Sequence, residues 1–253
     1  MKENNPVDTK KAMKQWKKLK TTINDTEIAQ VVVMESDDAP NFPDIVFCAN
    51  AGIVRGNHVF LSHFAHPERY GEFHYYDKFF KKHGFITFFN KRIAHEGTGD
   101  ALWFSKHMNT LLTGVGPRSD ILAIDSIHRK LRRNEEDNFQ IVAARLVDPR
   151  FYHLDTCFCP LNENLALWYP HAFDPVTQNN IKNYTNVIPV SECDAARFAC
   201  NAVVVGNDVI LNEGSDDTMK LLEQHGFKPH PVDMSEFIKA GGSAKCCTLK
   251  LDS

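Results

Sequence analysis

A cysteine pair near the C-terminus is the strongest indication of a nucleophile in the sequence. The segment KAGGSAKCCTLK places Cys246 beside Lys245 and shortly after Gly241 and Gly242. A neighbouring cation favours the thiolate, the nucleophilic form of cysteine, and paired glycines let a ligand approach the backbone closely. On a strand, Cys247 would face away from Cys246. The alternative, that both cysteines are small core residues, stays open at this point.

A histidine and an aspartate stand two residues apart in FYHLDTCFCPL. If this segment is a strand, His153 and Asp155 face the same side, where one can transfer protons and the other can pair with a cationic substrate group. A polar surface hairpin is the alternative. Cys157 and Cys159 follow and raise a metal site as a further alternative, although the Cys-X2-Cys spacing typical of zinc is absent.

Two carboxylates surround a glycine-rich turn in HEGTGDALWF. Glu96 and Asp100 flank Gly97 and Gly99, so this turn can bring a carboxylate beside the histidine. The chain contains neither Gly-X-Gly-X-X-Gly nor a Walker pattern, so nothing in it indicates nucleotide binding.

The elements that must position these residues form a repeat. AGIVRGNHVFLSHF and NAVVVGNDVILNEG each continue into a helical stretch that ends at HGF. Each copy predicts two strands joined by a Gly-Asn turn, a helix capped by glycine and a third strand. Two further hairpins are predicted, in GDALWFSKHMNTLLTGV and around Asn162 to Asn164. Such repeats predict strand-rich units in a ring or array, whose centre gathers residues that are far apart in sequence.

The first copy is longer than the second. The turn and cap glycines are 28 residues apart in the first copy (84 minus 56) and 20 apart in the second (226 minus 206). We assign the extra residues to the loop AHPERYGE, and loops of this kind often carry function. Before the repeats, a helix with a solvated lysine face is predicted from the spacing of Ala12, Met13, Trp16, Leu19 and Ile23.

Composition limits the classes of function. With 253 residues, 43% hydrophobic and 24% charged, a single globular domain over residues 1–253 is predicted. A formal net charge of -3 gives no reason to expect nucleic acid as a partner. The absence of a long apolar run and of a signal peptide predicts no membrane association and a cytoplasmic protein. The expected partner is a small molecule, and a homo-oligomer stays open.

In this order, HEGTGD, YHLDTCFCPL, FACNAVVVGNDVILN and KAGGSAKC resemble the guanidino-group-modifying enzymes. These are the dimethylarginine dimethylaminohydrolases, arginine deiminases, arginine dihydrolases and amidinotransferases. The resemblance runs from about Pro6 to Leu251 and is strongest from Phe151 to Phe158 and from Gly241 to Cys246. It implies the pentein fold, an α/β propeller of five ββαβ blades around a polar centre, and a reaction without metal or organic cofactor.

The resemblance also implies roles for individual residues. Cys246 corresponds to the nucleophile, His153 to the general acid and base, and Glu96 to the carboxylate that orients the histidine. Asp155 corresponds to the aspartate that holds the guanidinium. The other substrate-binding positions implied are Asp44, Phe47, Asn50, Arg69, Arg118 and Asn201.

Two features depart from the family pattern. FCANAG places Ala49 and Asn50 where deiminases and dimethylarginine hydrolases have an acidic residue against the guanidinium. An amide hydrogen-bonds a guanidinium without neutralising it, and a similar asparagine is a feature of the arginine dihydrolases. In addition, family members begin with a strand that precedes the stretch matching NPVDTKKAMKQW, so we expect the first strand to be missing and one blade to be open.

The sequence thus predicts a hydrolase that acts on the guanidinium of arginine or N-methylated arginine through a covalent cysteine intermediate. The product would be citrulline, with ornithine as the product of a second step. The alternative is a catalytically weak or inactive, truncated family member that acts as a binding protein.

Overall fold

The structure is a computed structural model that describes residues 6–36, 39, 41–104 and 109–251. Helix α1 (Thr9–Asn24) comes first.

The elements that follow α1 form four units along the chain. Unit 1 contains β1 (Gly52–Arg55), β2 (His58–Leu61), α2 (Glu72–Lys82) and β3 (Ile86–Phe89). Unit 2 contains β4 (Ala101–Phe104), β5 (Thr110–Val115), α3 (Ala123–Leu131) and β6 (Gln140–Arg145). Unit 3 contains β7 (Phe158–Asn162), β8 (Leu165–Trp168), α4 (Pro175–Tyr184) and β9 (Asn186–Pro189). After α5 (Glu192–Ala196), unit 4 contains β10 (Val203–Val205), β11 (Asp208–Asn212), α6 (Asp216–Gln224) and β12 (Lys228–Val232), and α7 (Ser235–Ile238) follows it.

Every unit has the same topology. Its first two strands pair antiparallel, and its second and third strands pair parallel. A parallel pair needs a crossover connection, which the helix of each unit provides. The ββαβ repeat predicted from two stretches of sequence is therefore present four times in the described residues.

The two recognised copies agree in their turns and caps. Gly56 and Gly206 have φ angles of 55° and 59°, the left-handed conformation that the hairpin turns require. Gly84 and Gly226 have φ angles of 82° and 83° and follow the ends of α2 and α6. Nothing lies within 4 Å of the position where either cap glycine would carry a side chain, so backbone conformation alone explains the glycine there.

The histidine before each cap glycine also has the same role in both copies. The Nδ1 of His83 lies 2.8 Å from the carbonyl oxygen of Phe79, and the Nδ1 of His225 lies 2.8 Å from that of Leu221. These side chains satisfy carbonyl groups in the last helical turn. The HGF signature therefore marks a helix end and not a catalytic histidine.

Helix α1 packs by one face, as its apolar spacing predicted. Asp8 caps its start by accepting a hydrogen bond from the Lys11 N–H. Leu19 and Ile23 are buried in a cluster with residues of unit 4 and with Cys246 and Cys247. Met13, which the spacing placed on the same face, is instead 53% exposed. None of the helices in the described ranges is long and apolar enough to cross a membrane.

The architecture agrees with the predicted α/β class. Four three-stranded sheets account for the strands of the described residues, and the residues described before β1 contribute α1 and short 3-10 turns but no strand of a ladder. The fifth blade and the closed propeller therefore stay a prediction. Residues 105–108, between β4 and β5, lie outside the described residues, so the sequence prediction for them stays a prediction.

Candidate active site

A cavity of about 250 Å³ opens between unit 1, unit 2 and the C-terminal segment. This volume lies just below the range of about 300 to 1,000 Å³ typical of drug-sized ligands, so it suits a single amino acid better than a peptide. Its lining residues are Asp44, Phe47, Asn50, His66, Glu68, Arg69, Arg118, Tyr152, His153, Ala240, Gly242 and Cys246.

Cys246 lies at the wall of this cavity and is held by Asn201. The Cys246 N–H donates to the Asn201 Oδ1 (3.1 Å), and the Asn201 Nδ2 lies 3.1 Å from the Cys246 Sγ. The same Nδ2 donates to the carbonyl oxygen of Asp155, and the Oδ1 also accepts from the Ser243 N–H. Asn201 is fully buried, so this side chain fixes the thiol relative to the segment that carries Asp155.

The prediction that Cys246 lies on a strand is wrong. Residues 244–247 form a turn, in which the Cys247 N–H donates to the carbonyl oxygens of Ser243 and Ala244. Both cysteines are buried, with exposures of 4% and 8%. A turn was missed because the alternation of apolar residues there is too short to distinguish it from a strand.

The glycine pair makes room for protein side chains as well as for the cavity. A side chain at Gly242 would lie 2.5 Å from the Phe47 ring and 3.0 Å from the Cys246 Cβ. Gly241 has a φ of 92°, and its carbonyl oxygen accepts a hydrogen bond from the Tyr152 hydroxyl. The close approach that the sequence predicted therefore comes first from Phe47 and Tyr152.

His153 and Asp155 meet the cavity from a turn and not from the predicted strand. His153 has extended backbone angles and precedes a short 3-10 turn, Leu154–Thr156, which leads into β7. The Asp155 Oδ2 nevertheless lies 3.5 Å from the Cys246 Sγ, and Asp155 is fully buried. The prediction that both side chains work on one site agrees with this arrangement, although its stated reason was wrong.

Glu96 is the carboxylate that contacts the histidine. Its Oε2 lies 2.7 Å from the His153 Nε2, and both residues are buried. The same carboxylate accepts from the Ala65 N–H and from the Arg118 Nη1. Three groups from separate parts of the chain thereby converge at one carboxylate.

The pKa values of this pair favour an ion pair. Burial opposes ionisation of Glu96, but the hydrogen bond and charge of His153, together with Arg118 and the Ala65 N–H, lower its pKa to about 2. Burial also opposes the imidazolium, yet the charge of Asp100 and the contact with Glu96 outweigh burial and raise the pKa of His153. A protonated His153 can donate a proton to a leaving group.

The pKa values of Cys246 and Asp155 are both raised, which favours the neutral forms of these two side chains. Burial and the charge of Asp155 raise the pKa of the Cys246 thiol, so the thiol is neutral in the free protein. Burial likewise raises the pKa of Asp155, while Lys245 and His153 act against it. The Lys245 Nζ lies 3.9 Å from Asp155. A cation that binds beside Asp155 would therefore favour the thiolate.

Asn50 is oriented by a buried ion pair. Arg69 forms two hydrogen bonds of 2.7 Å with Glu72 and donates from Nη1 to the Asn50 Oδ1 at 3.0 Å. The Asn50 Nδ2 donates to the carbonyl oxygen of Glu96. Arg69 also donates to the carbonyl oxygen of Asp44, so four of its five N–H groups bind protein acceptors.

Arg118 keeps more of its donors available than Arg69. Its described contacts are the Nη1 hydrogen bond to Glu96 and stacking on the Tyr152 ring at 4.7 Å. It lines the cavity and is partly exposed. Of the two arginines predicted to bind substrate, Arg118 therefore has more donors left for a ligand in the cavity.

All ten predicted site residues come together. Seven line the cavity, while Glu96, Asp155 and Asn201 contact lining residues from behind. Sequence reasoning missed the lining positions His66, Glu68 and Tyr152. The signals available were the insertion AHPERYGE, which contains the first two, and the position of Tyr152 directly before His153.

The metal alternative finds no support in the described residues. No group of three or more His, Cys, Asp or Glu side chains there is arranged to hold a metal ion. Cys157 and Cys159 are buried in the core cluster of units 2 to 4, where the Cys159 Sγ contacts the carbonyl oxygen of Ala202. Burial raises the pKa of both thiols.

Comparisons with known proteins place the chain among guanidino-directed enzymes. The family model described as eukaryotic N,N dimethylarginine dimethylhydrolase matches residues 1–252. The bifunctional arginine dihydrolase/ornithine cyclodeaminase ArgZ of Synechocystis sp. is 42% identical over 246 residues, 95% of this chain and 33% of that protein. The N(G),N(G)-dimethylarginine dimethylaminohydrolase of Mycobacterium tuberculosis is 33% identical over 97% of this chain and 78% of its own length.

Solved structures agree with the sequence comparisons. The N-terminal domain of ArgZ, as a cysteine-to-serine mutant bound to substrate, matches with a TM-score of 0.90 and 40% identity over 98% of this chain and 89% of that chain. A cysteine-to-alanine mutant of AgrE in complex with L-arginine matches with a TM-score of 0.89 and 37% identity over 97% of this chain and 36% of that chain.

The fold and the site define a member of the guanidino-group-modifying superfamily, as the sequence motifs predicted. Its named relatives are hydrolases of guanidino groups. The chain belongs to the N,N-dimethylarginine dimethylhydrolase family. It spans 33% of the length of ArgZ and of AgrE.

Proposed function

We propose that this chain hydrolyses the guanidinium group of free arginine, with Cys246 as nucleophile, and carries the reaction through to ornithine. The observation that supports this most directly is the placement of the Cys246 thiol 3.5 Å from Asp155 at a cavity that His153 and Glu96 also approach. A thiol, a carboxylate and an imidazole around one small cavity are the groups that covalent hydrolysis of an amidine carbon needs.

The cavity offers a place for each end of the substrate. Asp155 is the carboxylate beside the thiol, so a guanidinium paired with it has its carbon next to the sulfur. Arg118 has donors left for an α-carboxylate, and Asp44 and Glu68 are lining carboxylates that suit an α-ammonium. Phe47 gives the aliphatic part of the substrate an apolar wall.

The first half of the reaction makes a covalent intermediate. When the guanidinium binds, its charge favours the thiolate, and the thiol proton passes to solvent. The sulfur attacks the guanidinium carbon and forms a C–S bond, and His153 gives its proton to the departing ammonia as the C–N bond breaks. Cys246 then carries an amidino thioether.

The second half releases the product. His153 takes a proton from water, the oxygen attacks the thioether carbon, and the C–S bond breaks to give citrulline. In a second cycle Cys246 attacks the ureido carbon, and the second ammonia leaves with a proton from His153. Water then replaces the sulfur and gives the carbamate of ornithine, whose C–N bond breaks to release carbon dioxide as the nitrogen takes a proton. The overall balance is arginine plus two waters to ornithine, carbon dioxide and two ammonia molecules.

Asn50 supports arginine over dimethylarginine as the substrate. It stands at the position where the deiminases and dimethylarginine hydrolases are expected to carry an acid, and its amide is fixed by Arg69 and by the Glu96 carbonyl oxygen. The fixed amide keeps one N–H directed away from these partners. The similarity to ArgZ supports the same choice.

The test is product analysis by mass spectrometry of three proteins, each incubated separately with arginine, citrulline and asymmetric dimethylarginine. The proteins are the wild type, Cys246→Ser and the matched control Cys247→Ser, whose thiol is equally buried one residue away. We expect ornithine and two ammonia molecules per arginine from the wild type and the control, and none from Cys246→Ser.

Other results would replace parts of the proposal. Citrulline as the final product would limit the reaction to one step, and dimethylamine from asymmetric dimethylarginine alone would make methylated arginine the substrate. Thermal stabilisation by arginine without any product would favour the binding protein. Equal turnover by wild type and Cys246→Ser would remove Cys246 as the nucleophile.

A further inference from the structure

A second buried carboxylate, Asp100, lies directly behind the acid and base pair. It is 1% exposed and stands at the end of the turn Gly97–Gly99 that follows Glu96. Its Oδ2 accepts a hydrogen bond of 2.6 Å from the Ser119 hydroxyl, and its Oδ1 accepts one of 3.0 Å from the Leu154 N–H. The mechanism proposed above uses Glu96 and leaves Asp100 without a role.

These hydrogen bonds connect the two halves of the pair. Leu154 directly follows His153, so the bond from its N–H fixes the backbone that carries the imidazole. The Ser119 hydroxyl oxygen also accepts from the Glu96 N–H at 3.1 Å. One carboxylate and one hydroxyl thereby link the backbones of Glu96 and His153, whose side chains meet on the other side.

The packing leaves Asp100 little freedom. A side chain at Gly114 would lie 2.6 Å from the Asp100 Oδ1, and one at Gly99 would lie 3.3 Å from the His153 ring. Glycine at these two positions therefore allows β5 and the turn to close around the carboxylate and the imidazole. A carboxylate so enclosed acts on its neighbours with little screening by solvent.

Several charged or titratable groups surround this arrangement, and each of them contributes to its charge balance. Glu96 and Asp155 are the other carboxylates that face His153, and Arg118 pairs with Glu96. The remaining groups are His95, Tyr152, Cys157, Lys245 and Cys246.

We propose that Asp100 is a positioning residue for His153: it ties together the backbones of Glu96 and His153, and its negative charge holds the imidazole in the protonated form that donates a proton. Against the effect of burial, the charge of Asp100 and the hydrogen bond and charge of Glu96 raise the pKa of His153. The role for turnover rests on the proposed function, whereas the effect on His153 protonation does not.

The first experiment follows the protonation of His153 without turnover. In the Cys246→Ser background, with 13C-labelled histidine, Asp100→Asn should lower the pKa of His153 by about one unit or more, because an amide of the same shape removes the charge and keeps an acceptor for the Leu154 N–H. The matched control is Asp194→Asn, since Asp194 is also buried and accepts from the backbone N–H and hydroxyl of Thr218, and neither residue lines the cavity. This control should leave the His153 titration unchanged.

A second measurement needs no substitution at Asp100. Burial raises the pKa of Asp100 to about 6, so in the Cys246→Ser protein the Asp100 carboxyl signal and the His153 ring signal should share an inflection near that pH. This measurement keeps the proposal testable if Asp100→Asn fails to fold. The proposal would be overturned if Asp100→Asn leaves the pKa of His153 unchanged and the His153 signal shows no inflection in common with Asp100.

The third experiment uses turnover. His153 must be protonated to donate, so activity is lost as pH rises through its pKa, and Asp100→Asn should move the alkaline limb of kcat/KM to lower pH by about one unit. Asp194→Asn should lower stability and leave the pH profile in place. The same pH profile for both variants would make Asp100 merely structural. Absence of turnover in the wild type would count against the proposed function and leave the His153 titration as the test of this inference.

Discussion

Units 1 and 4 have the same secondary structure, yet only unit 1 forms a large part of the cavity wall. Both contain a Gly-Asn hairpin, a helix, a glycine cap and a parallel third strand. The second strand and the helix are separated by ten residues (62–71) in unit 1 and by three (213–215) in unit 4. The two units thus differ mainly in one connection.

That connection carries the functional difference. In unit 1, Ala65 donates to Glu96, Arg69 fixes Asn50, and His66 and Glu68 line the cavity. In unit 4 the short connection allows Arg197 to lie over Gly214 at the surface. The repeat thus provides a scaffold, while an insertion in one copy provides residues that line the cavity.

The largest expected effect comes from removing the buried cation of the unit 1 connection. Arg69→Met leaves Glu72, which is fully buried, without its cation, and should lower the free energy of unfolding by about 3 to 5 kcal/mol. The matched change Arg197→Met, beside the unit 4 connection, removes an exposed arginine and should cost less than about 0.5 kcal/mol. Urea denaturation measures both.

A double variant separates charge from packing in that prediction. Arg69→Met with Glu72→Leu removes both charges and should recover most of the lost stability, because no buried carboxylate remains unpaired. If the double variant is no more stable than Arg69→Met, lost packing against Phe64 and Asp44 explains the effect, and the ion pair does not.

The next prediction compares Glu96 with Asp233, two carboxylates whose pKa values are both lowered to about 2. The pKa of Glu96 is lower in the folded protein than its ordinary value of 4.5. Its ionised carboxylate therefore stabilises the fold above about pH 4.5, and this contribution is lost as the pH falls to 2. For this buried group the contribution is about 3 kcal/mol. Asp233, which follows unit 4, is 33% exposed, and solvent reduces its contribution to below about 1 kcal/mol.

Acid denaturation of two variants tests this difference. Glu96→Gln should flatten the fall in unfolding free energy between pH 4.5 and 2, and Asp233→Asn should change it little. Equal flattening in both variants would show that burial of Glu96 does not increase its contribution to the pH dependence of the unfolding free energy.

The smallest effect concerns what the two units share. Gly84→Ala and Gly226→Ala each place a side chain at a φ near 82° in open space, so each should lower stability by about 1 to 2 kcal/mol through backbone conformation alone. The two costs should agree within about 0.5 kcal/mol in thermal unfolding. A clear difference between them would mean that the caps are not equivalent.

Much of the fold could be predicted because its signals are local. Gly-Asn turns, apolar alternation and HGF caps depend on neighbouring residues, and they gave the units at residues 52–89 and 203–232 and the hairpin of unit 3. The strand predicted for His153 and Asp155 was wrong, since a 3-10 turn and a strand entry differ by a few dihedral angles that periodicity does not distinguish.

The candidate site could likewise be predicted only in part. The identities of Cys246, His153, Glu96 and Asp155 as reactive groups followed from residue type and from motif resemblance. The resemblance also implied the contact between Glu96 and the imidazole. That Arg69 fixes Asn50, and that Tyr152 and Glu68 line the cavity, depended on contacts between distant segments.

By itself, the sequence determined the repeated unit, its caps and turns, and the reactive residue types, because each of these depends on interactions within a few residues along the chain. The tertiary structure alone established that Arg69 fixes Asn50, that Asn201 holds Cys246, and that the Cys246 thiol is neutral in the free protein. These properties depend on burial and on distances between segments that are far apart in sequence, such as Lys245 and Thr98, which are in contact although they lie 147 positions apart. Local sequence does not encode such distances, and packing of the four units sets them.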